Sequence, residues 1–186
     1  MIDDAQLIRD TLAGDSAAFG QLVCKYQDRL YSALAHMLRA PEEARDVVQE
    51  AFVQAFVKLE TFRGSSAFYT WLYRIAFNVS VSRKRRQRTV LSLDRTRDIS
   101  GEEPLDVASP ADRMERGERA VQVRAAMAVL SDEHRAILVL REVEGFDYEQ
   151  IADVLDVAVG TVRSRLHRAR AQLRELLTPV LQEDVK

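Results

Sequence analysis

The stretch YEQIADVLDVAVGTVRSRLHRA, residues Tyr148–Ala169, holds two segments of helical periodicity separated by a short connection. A short amphipathic segment with the small residue Ala152 comes first, a tight connection ending at Gly160 follows, and a second helix starts at Thr161. A short helix, a turn and a second helix in this order form a helix-turn-helix. The stretch therefore predicts a small all-α domain in the C-terminal half of the chain.

The second helix of this motif has an apolar face and a basic face. On a wheel of about 100° per residue, one side gathers the apolar residues Val162, Leu166, Ala169, Leu173 and Leu176. The opposite side gathers the polar and basic residues Arg163, Ser164, His167, Arg168 and Arg174. We expect the apolar stripe to pack on a core and the basic face to point outward.

The outward face suits contact with DNA, because arginine can bridge guanine O6 and N7 while neighbouring cations hold phosphates. The alternative is a solvated charged face, although such faces usually mix the two charge signs. Between Thr161 and Arg174 the chain has five arginines and no acidic residue, whereas its formal net charge is −2. This local excess of positive charge favours DNA binding by Arg163, Ser164, His167 and Arg168.

The composition is that of a globular helical protein. The chain has 186 residues and is 47% hydrophobic, which allows one domain or two small ones. Its four prolines leave the ranges Glu42–Glu103 and Ala111–Thr178 without an obligatory helix breaker. Apolar runs reach only about five residues, far short of the ~20 that a membrane-spanning helix needs.

Local patterns also predict where helices begin and end. Asp15 and Ser131 are expected N-caps, and DYEQ, Asp147–Gln150, resembles a capping box with Asp in place of Ser or Thr. Gly64 is expected to close one helix, and Ser65 or Ser66 to cap the next. In the C-terminal half one helix is expected at about Asp132–Glu144.

Residues 90–112 interrupt the helical pattern. They contain Gly101, Pro104 and Pro110, and their charge changes from basic before Arg97 to acidic from Asp98 onward. Such a segment has no regular apolar face to bury, which is typical of a flexible linker. The sequence predicts an all-α protein of two small helical domains, residues 1–89 and 113–186, joined by this linker.

The segment FYTWLYRIAFN, Phe68–Asn78, is too aromatic for one core stripe. On a helix one face carries Phe68, Leu72, Ile75 and Val79, and the other carries Thr70, Tyr73, Arg74 and Phe77. Aromatic rings beside arginine suit single-stranded nucleic acid, because rings stack on bases and cations hold the backbone. Packing of Tyr73 or Phe77 against another helix is the alternative, and the pattern leaves it open.

Two further polar surfaces flank this helix. The basic tract at its end, with Arg83, Lys84, Arg85 and Arg86, would extend a phosphate track or would simply be solvated. The preceding segment ARDVVQEAFVQAF turns a polar to acidic face away from its apolar stripe of Val48, Phe52 and Phe56, and this face carries Asp46, Gln49 and Glu50. A solvated surface is the alternative for this face as well.

Several function classes are not expected. Cys24 is the single cysteine and the three histidines form no cluster at metal spacing, so neither an internal disulfide nor a metal site is predicted. No catalytic triad order, glycine-rich phosphate loop or carboxylate pair indicates an enzyme, a cofactor or a small-molecule substrate. The acidic N-terminal segment MIDDAQLIRD does not resemble a secretory signal, so the cytoplasm is the expected compartment.

Together these pieces resemble the extracytoplasmic-function (ECF) sigma factors of the sigma-70 family, and among them the envelope-stress sigma factors. The segment DVVQEAFVQAF resembles the core-polymerase-binding region, FRGSSAFYTWLYRIAFN the promoter-melting and minus-10 region, and VGTVRSRLHRAR the minus-35 reader. The resemblance implies that residues 1–89 form sigma region 2 and residues 113–186 form sigma region 4.

The resemblance also implies roles for individual residues. Asp46, Gln49 and Glu50 match the surface that docks on the clamp helices of the largest subunit of RNA polymerase. Phe62 and Asn78 match positions near the pocket for a flipped minus-10 base. The melting helix is matched by Trp71, Tyr73 and Arg74, and the minus-35 reading face by Arg163, Ser164, His167 and Arg168. His167 stands where close relatives often carry an aromatic residue, so their minus-35 sequence cannot be copied to this chain.

The implied partners are core RNA polymerase, promoter DNA and an anti-sigma factor, and many anti-sigma factors are membrane-anchored. A stand-alone transcriptional regulator with a similar C-terminal domain is the alternative class. Such a regulator would need a receiver or ligand-binding domain, and the aromatic-rich N-terminal half resembles neither.

Overall fold

The computed structural model describes the backbone of residues 3–38, 40–93 and 110–183, and their side chains except for 88–93, 110–119 and 179–183. Throughout these residues every regular element is helical, as the sequence predicts. The elements are α1 (Asp4–Leu12), α2 (Ser16–Met37), α3 (Pro41–Val57), a 3₁₀ turn (Leu59–Thr61), α4 (Phe68–Leu93), α5 (Pro110–Val129), α6 (Asp132–Leu138), a π-helical turn (Val139–Val143), α7 (Tyr148–Leu155) and α8 (Val159–Glu183).

The helices form two compact units. The first is built on α1–α4, and the second is built on α5, α6, the first turn of α7, and α8. Residues 94–109 of the predicted linker lie outside the described residues. The flanks of that predicted segment are helical, because α4 extends to Leu93 and α5 begins at Pro110. The domain limits 1–89, 90–112 and 113–186 therefore stay predictions.

The core of the first unit follows the apolar periodicity of its helices. Asp15 caps α2, as predicted, by accepting a hydrogen bond of 2.9 Å from the backbone N–H of Ala17. The stripes of α2, α3 and α4 bury Leu22, Leu30, Leu34, Val47, Val48, Phe52, Phe68, Leu72 and Val79. Phe56 is exposed despite its place in the predicted α3 stripe, and its ring meets the ring of Phe19 edge-on at 5.0 Å.

The connection between α3 and α4 differs from the prediction that Gly64 closes one helix and Ser65 or Ser66 caps the next. The helix α3 already ends at Val57, and the 3₁₀ turn follows it. Gly64 lies beyond that turn with φ of +68°, a backbone conformation that glycine adopts without steric cost. Ala67 rather than a serine precedes the first residue of α4.

Two helices of the second unit begin at N-caps that were predicted from the sequence. Ser131 accepts a 3.3 Å hydrogen bond from the backbone N–H of His134 at the start of α6. Asp147 and Gln150 form the predicted capping box of α7, with reciprocal bonds of 2.7 Å and 2.9 Å. These caps satisfy backbone donors that the first turn of each helix leaves without a partner.

Two turns in the C-terminal half of the chain were not predicted. The expected helix from Asp132 to Glu144 changes at Val139 into the π-helical turn, where the Glu144 N–H bonds the Val139 carbonyl five residues back. The connection of the helix-turn-helix does not end at Gly160, which lies within the first turn of α8. The left-handed residue is Asp156, with φ of +53°, since a short polar side chain tolerates this conformation.

A buried arginine joins α5 to α6. Arg135 is 2% exposed and donates from Nε to the Met127 carbonyl at 3.1 Å and from Nη2 to the Leu130 carbonyl at 2.9 Å. It also reaches the Asp132 carboxylate at 3.3 Å. These bonds add donors to carbonyls at and just after the C-terminal end of α5, where helical partners are lacking or, for Met127, limited to the Leu130 N–H.

Within the described residues, no helix is long and apolar enough to cross a membrane. The same residues contain no group of three or more His, Cys, Asp or Glu side chains that could hold a metal ion. Cys24 is exposed on α2 as a free thiol.

Candidate functional sites

The predicted reading face lies on the exposed side of α8. Val162, Leu166 and Ala169 of the apolar stripe are buried, which fixes the rotation of the helix. The four predicted reading residues are all exposed along the opposite side, namely Arg163, Ser164, His167 and Arg168. The Ser164 hydroxyl donates to the Thr161 carbonyl at 3.1 Å. The structure thus brings these four residues together on one accessible surface.

Two of the five arginines of α8 serve a different purpose. Arg165 Nη2 lies 3.3 Å from Glu133 Oε2 of α6, and Arg170 Nη2 lies 2.7 Å from Glu142 Oε1 of the π-helical turn. These pairs tie α8 to α6 and to the π-helical turn. Arg165 and Arg170 are not among the four predicted reading residues, and their pairing was not predicted because the acidic partners lie about 30 residues away in the chain.

An aromatic ring stands at the start of the reading face. The guanidinium carbon of Arg163 lies 5.9 Å from the centre of the Tyr148 ring, and that of Arg141 lies 5.3 Å from it. Arg141 also donates to the Phe146 carbonyl at 2.7 Å. Both guanidinium groups are within the range of cation–π attraction. Tyr148 therefore links the beginning of α7 to the first reading residue of α8.

The predicted acidic face lies on α3, and Asp46 and Gln49 on it are exposed while Glu50 is half-buried. This face also makes two ion pairs that were not predicted from the sequence. Arg83 of α4 places Nη1 3.0 Å from Asp46 Oδ2 and Nε 3.1 Å from Glu50 Oε2. The hydrogen bond to Asp46, followed by that to Glu50, raises the pKa of Arg83 above its ordinary value.

An aromatic cluster occupies the beginning of α4 and the loop before it. The ring of Phe62 lies 5.8 Å from that of Phe68 and 5.2 Å from that of Trp71. Phe62 and Trp71 are half-buried, so each keeps part of its ring accessible. Asn78 is exposed two turns further along the same helix. The distances between rings are those of stabilising aromatic pairs.

Two comparisons of the sequence decide the family. The family model "Sigma-70 region 2" matches residues 22–90, and "Sigma-70, region 4" matches residues 120–173. The RNA polymerase sigma-H factor of Pseudomonas aeruginosa is 41% identical to this chain over 97% of it and 96% of the relative. The ECF RNA polymerase sigma-E factor of Escherichia coli is 36% identical over 97% of each chain. The chain belongs to the ECF sigma factors of the sigma-70 family.

Solved structures agree with this assignment. One is CnrH in complex with the cytosolic domain of CnrY, with 28% identity, a TM-score of 0.67 and coverage of 95% of this sigma factor and 97% of that chain. Another is the sigma factor RpoE in complex with the anti-sigma factor NepR from Bartonella quintana, with 28% identity, a TM-score of 0.70 and coverage of 86% and 96%. The predicted family and fold class are therefore confirmed, and a sigma factor is a transcription initiation factor rather than an enzyme.

Tyr73 is the predicted site residue whose position differs most from the expectation. It is completely buried, and Thr70 of the same helix face is also buried. Arg74 is half-buried. The open alternative for Tyr73, packing inside the protein, is the one that the structure favours. The reason is that α4 packs against α3, while its Tyr69 stacks on Tyr26 of α2 and also contacts the Tyr73 ring, so a second face of α4 is buried as well.

The residues of the predicted basic track in this sigma factor do not all share one environment. Arg85 and Arg86 are exposed, and Lys84 is half-buried. Arg83 is turned toward α3 and is engaged by Asp46 and Glu50. Of the tract, Arg83 is therefore the residue whose predicted DNA role the geometry does not favour.

Sequence reasoning missed Arg135, Arg165 and Arg170 as structural cations. A signal for Arg135 was present, since it directly precedes the apolar run Ala136–Leu140 and a charge there must be buried with partners. For Arg165 and Arg170 no local signal exists, because their acidic partners come from other elements.

Proposed function

We propose that this sigma factor binds core RNA polymerase through α3 and directs initiation at promoters that it reads with α4 and α8. The observation that carries the proposal is the presence in one chain of region 2 and region 4, with an exposed polar and basic face on the recognition helix. The expected compartment is the cytoplasm, where core polymerase and promoter DNA are found.

The minus-35 element is read by the exposed face of α8. Arg163, Ser164, His167 and Arg168 stand together there, and arginine in the major groove can form a bidentate contact to guanine. Tyr148 restrains Arg163 by cation–π contact, which favours a fixed direction for that guanidinium. Arg165 and Arg170 are engaged behind this face, so they orient the helix instead of reading bases.

The minus-10 element is melted and captured at α4. Trp71 and Phe62 present partly accessible rings for stacking, Arg74 is half-buried, and Asn78 is exposed for contact to an unstacked base. Lys84, Arg85 and Arg86 continue this surface as a track for phosphates. Tyr73 takes part by holding the helix in place, because its ring is buried.

The polymerase is bound by the polar to acidic face of α3, which carries Asp46, Gln49 and Glu50. Exposed carboxylates steer association with a basic partner and fix its register. The docking site is the clamp helices of the largest subunit. An anti-sigma factor controls the protein. Support comes from the two similar solved structures, in which RpoE is bound to the anti-sigma factor NepR and CnrH is bound to the cytosolic domain of CnrY.

Mixing the purified chain with core RNA polymerase tests this function. We expect a stable complex and transcripts that start at one promoter set and require both proteins. A stand-alone regulator would bind DNA without core and would give no transcripts with core alone. Absence of a complex with core would refute the proposal.

The role of Asn78 is tested within the same assay. Asn78→Ala should reduce open-complex formation, seen as permanganate reactivity of unpaired thymines, more than it reduces closed-complex binding. The reason is that an unstacked base is available only after melting. An equal loss at both stages would reassign Asn78 to folding or docking.

A further inference from the structure

Arg83 lies between two surfaces with different proposed partners: the basic tract of α4, proposed to bind DNA, and the acidic face of α3, proposed to bind core polymerase. It belongs to the basic tract of α4, yet its guanidinium lies against the carboxylates of α3 at 3.0 Å and 3.1 Å. Only 31% of its side chain is exposed, so it is held against α3. Because Nε and Nη1 are engaged by the two carboxylates, this arginine cannot offer its full planar fork to a phosphate while both ion pairs hold.

Both carboxylate oxygens of Glu50 accept hydrogen bonds from neighbouring side chains. Oε2 accepts from Arg83, and Oε1 accepts from Gln54 Nε2 at 3.2 Å within the same helix. Asp46 lies one turn before Glu50, and two carboxylates at this spacing repel each other when no cation lies between them. Arg83 therefore both neutralises this repulsion and sets the direction in which the carboxylates point.

We propose that Arg83 is a positioning residue of the polymerase-docking face, which acts through Asp46 and Glu50 and not through DNA. The inference rests on the proposed docking role of these two carboxylates. A fork that fixes both side chains before docking lowers the entropy that association must overcome. Removing Arg83 leaves more negative charge on the face but leaves its side chains free to rotate, and we expect the loss of order to dominate.

A double-mutant cycle tests the proposal on the full-length protein. The four proteins are the wild type, Arg83→Ala, the pair Asp46→Asn with Glu50→Gln, and the combination of all three changes. Each is labelled with a fluorescent maleimide at Cys24, the single and exposed cysteine, and titrated with core polymerase. Melting curves set a temperature at which all four are folded, which is attainable because a partly exposed ion pair contributes little to stability.

We expect Arg83→Ala to weaken core binding roughly fivefold in the wild-type background and to have no further effect in the Asn/Gln background. Core binding by Arg83→Ala should also depend more steeply on salt, because two carboxylates then remain without their internal cation. A role in folding alone would not steepen the salt dependence. Arg83→Lys, which keeps the charge but loses the planar fork, should restore only part of the affinity.

Arg45→Ala is the matched control, because Arg45 is an exposed cation of α3 that pairs at 2.9 Å with Glu42 of its own helix. It removes the same charge and should leave core affinity within about twofold. Tighter core binding by Arg83→Ala would mean that Arg83 masks the face, and an equal loss in both backgrounds would mean that it acts elsewhere. Either result overturns the proposal.

Two outcomes separate this inference from the proposed function. If the Asn/Gln pair binds core as tightly as the wild type, the docking role of the face fails, and the role of Arg83 fails with it. If that pair is weakened while Arg83→Ala is not, only the role of Arg83 fails. A promoter titration of saturated holoenzyme whose salt slope falls by about one in Arg83→Ala would instead assign Arg83 to a phosphate.

Discussion

The recognition helix α8 and the acidic face of α3 both combine charged residues, but they distribute their ion pairs differently. On α8 the paired arginines, Arg165 and Arg170, are held by Glu133 and Glu142, and Arg163 and Arg168 lie on the exposed face. On α3 the ion pairs use Asp46 and Glu50 themselves, the residues proposed for docking. On α8 the paired arginines differ from those proposed to read DNA, whereas on α3 the paired carboxylates are the same ones that are proposed to dock on the polymerase.

This difference indicates how each surface will respond to substitution. A change at a reading residue of α8 should affect DNA and little else, because the helix is anchored by other residues. A change on the α3 face should affect both the internal pair and the external partner. Four substitutions break or sharpen this contrast.

The largest effect is expected from Arg135→Ala, which removes the buried cation of the second unit. Its loss removes a charged donor from the carbonyls of both Met127 and Leu130 and leaves a cavity in the core, and we expect unfolding to become easier by about 3 kcal/mol. Urea unfolding followed by circular dichroism measures this. In the same assay Arg83→Ala should cost less than about 1 kcal/mol, because its pairs are partly exposed. Equal losses would show that burial does not distinguish the two arginines.

Asp46→Arg should give the next largest effect, on polymerase binding. The new cation faces a basic partner and also repels Arg83, so we expect core affinity to fall about 30-fold, or about 2 kcal/mol. Titration with labelled core measures it. Glu42→Arg, at an exposed position on the same helix, is the control and should change affinity less than about twofold. Similar losses in both variants would indicate a general effect of charge.

Arg168→Ala should cost about 1.5 kcal/mol at the preferred minus-35 element and should relax the choice at one base pair. The reason is that Arg168 is exposed on the reading face, where a planar guanidinium can bridge two acceptors of guanine. Holoenzyme titrations on single-base variants of the element at two salt concentrations measure it. A penalty that is equal for every sequence would assign Arg168 to a phosphate.

The smallest effect is expected from Arg170→Ala, only two residues away. Arg170 pairs with Glu142 through both Nε and Nη2, at 2.9 Å and 2.7 Å. This pairing holds its guanidinium against the π-helical turn, so we do not expect it to contact DNA bases. We expect promoter affinity to change by less than about 0.5 kcal/mol, since an exposed pair contributes little. The same titrations serve for both arginines. A loss as large and as sequence-selective as that of Arg168→Ala would remove the distinction between paired and reading arginines.

Periodicity and capping were enough to predict most of the fold. The buried stripe of Val162 and Leu166, the caps at Asp15 and Ser131, and the capping box at Asp147 are all local patterns, and the structure confirms each. The turns were predicted less well. The helix before Gly64 was predicted to end at that glycine, but α3 ends at Val57. The connection of the helix-turn-helix was predicted to end at Gly160, but its left-handed residue is Asp156.

The candidate sites were predictable as surfaces and less so as individual contacts. The exposure of Arg163, Ser164, His167 and Arg168 follows from the wheel alone. The burial of Tyr73 and the engagement of Arg83 do not, because both depend on which helix packs beside α4. Residues 37 positions apart meet in the pair of Arg83 and Asp46, and no pattern within either helix specifies that meeting.

The π-helical turn Val139–Val143 has a consequence for the lengths that this region can take. Such a turn holds one residue more than a turn of α-helix, and it takes up that residue within a single ring of hydrogen bonding. An in-frame deletion of one codon there would let α6 continue as regular α-helix, and the residues that follow would keep close to their present direction. The same deletion inside a regular helix such as α3 would rotate everything after it by about 100°. The turn is therefore the place where this region can lose one residue with the least change to the start of α7.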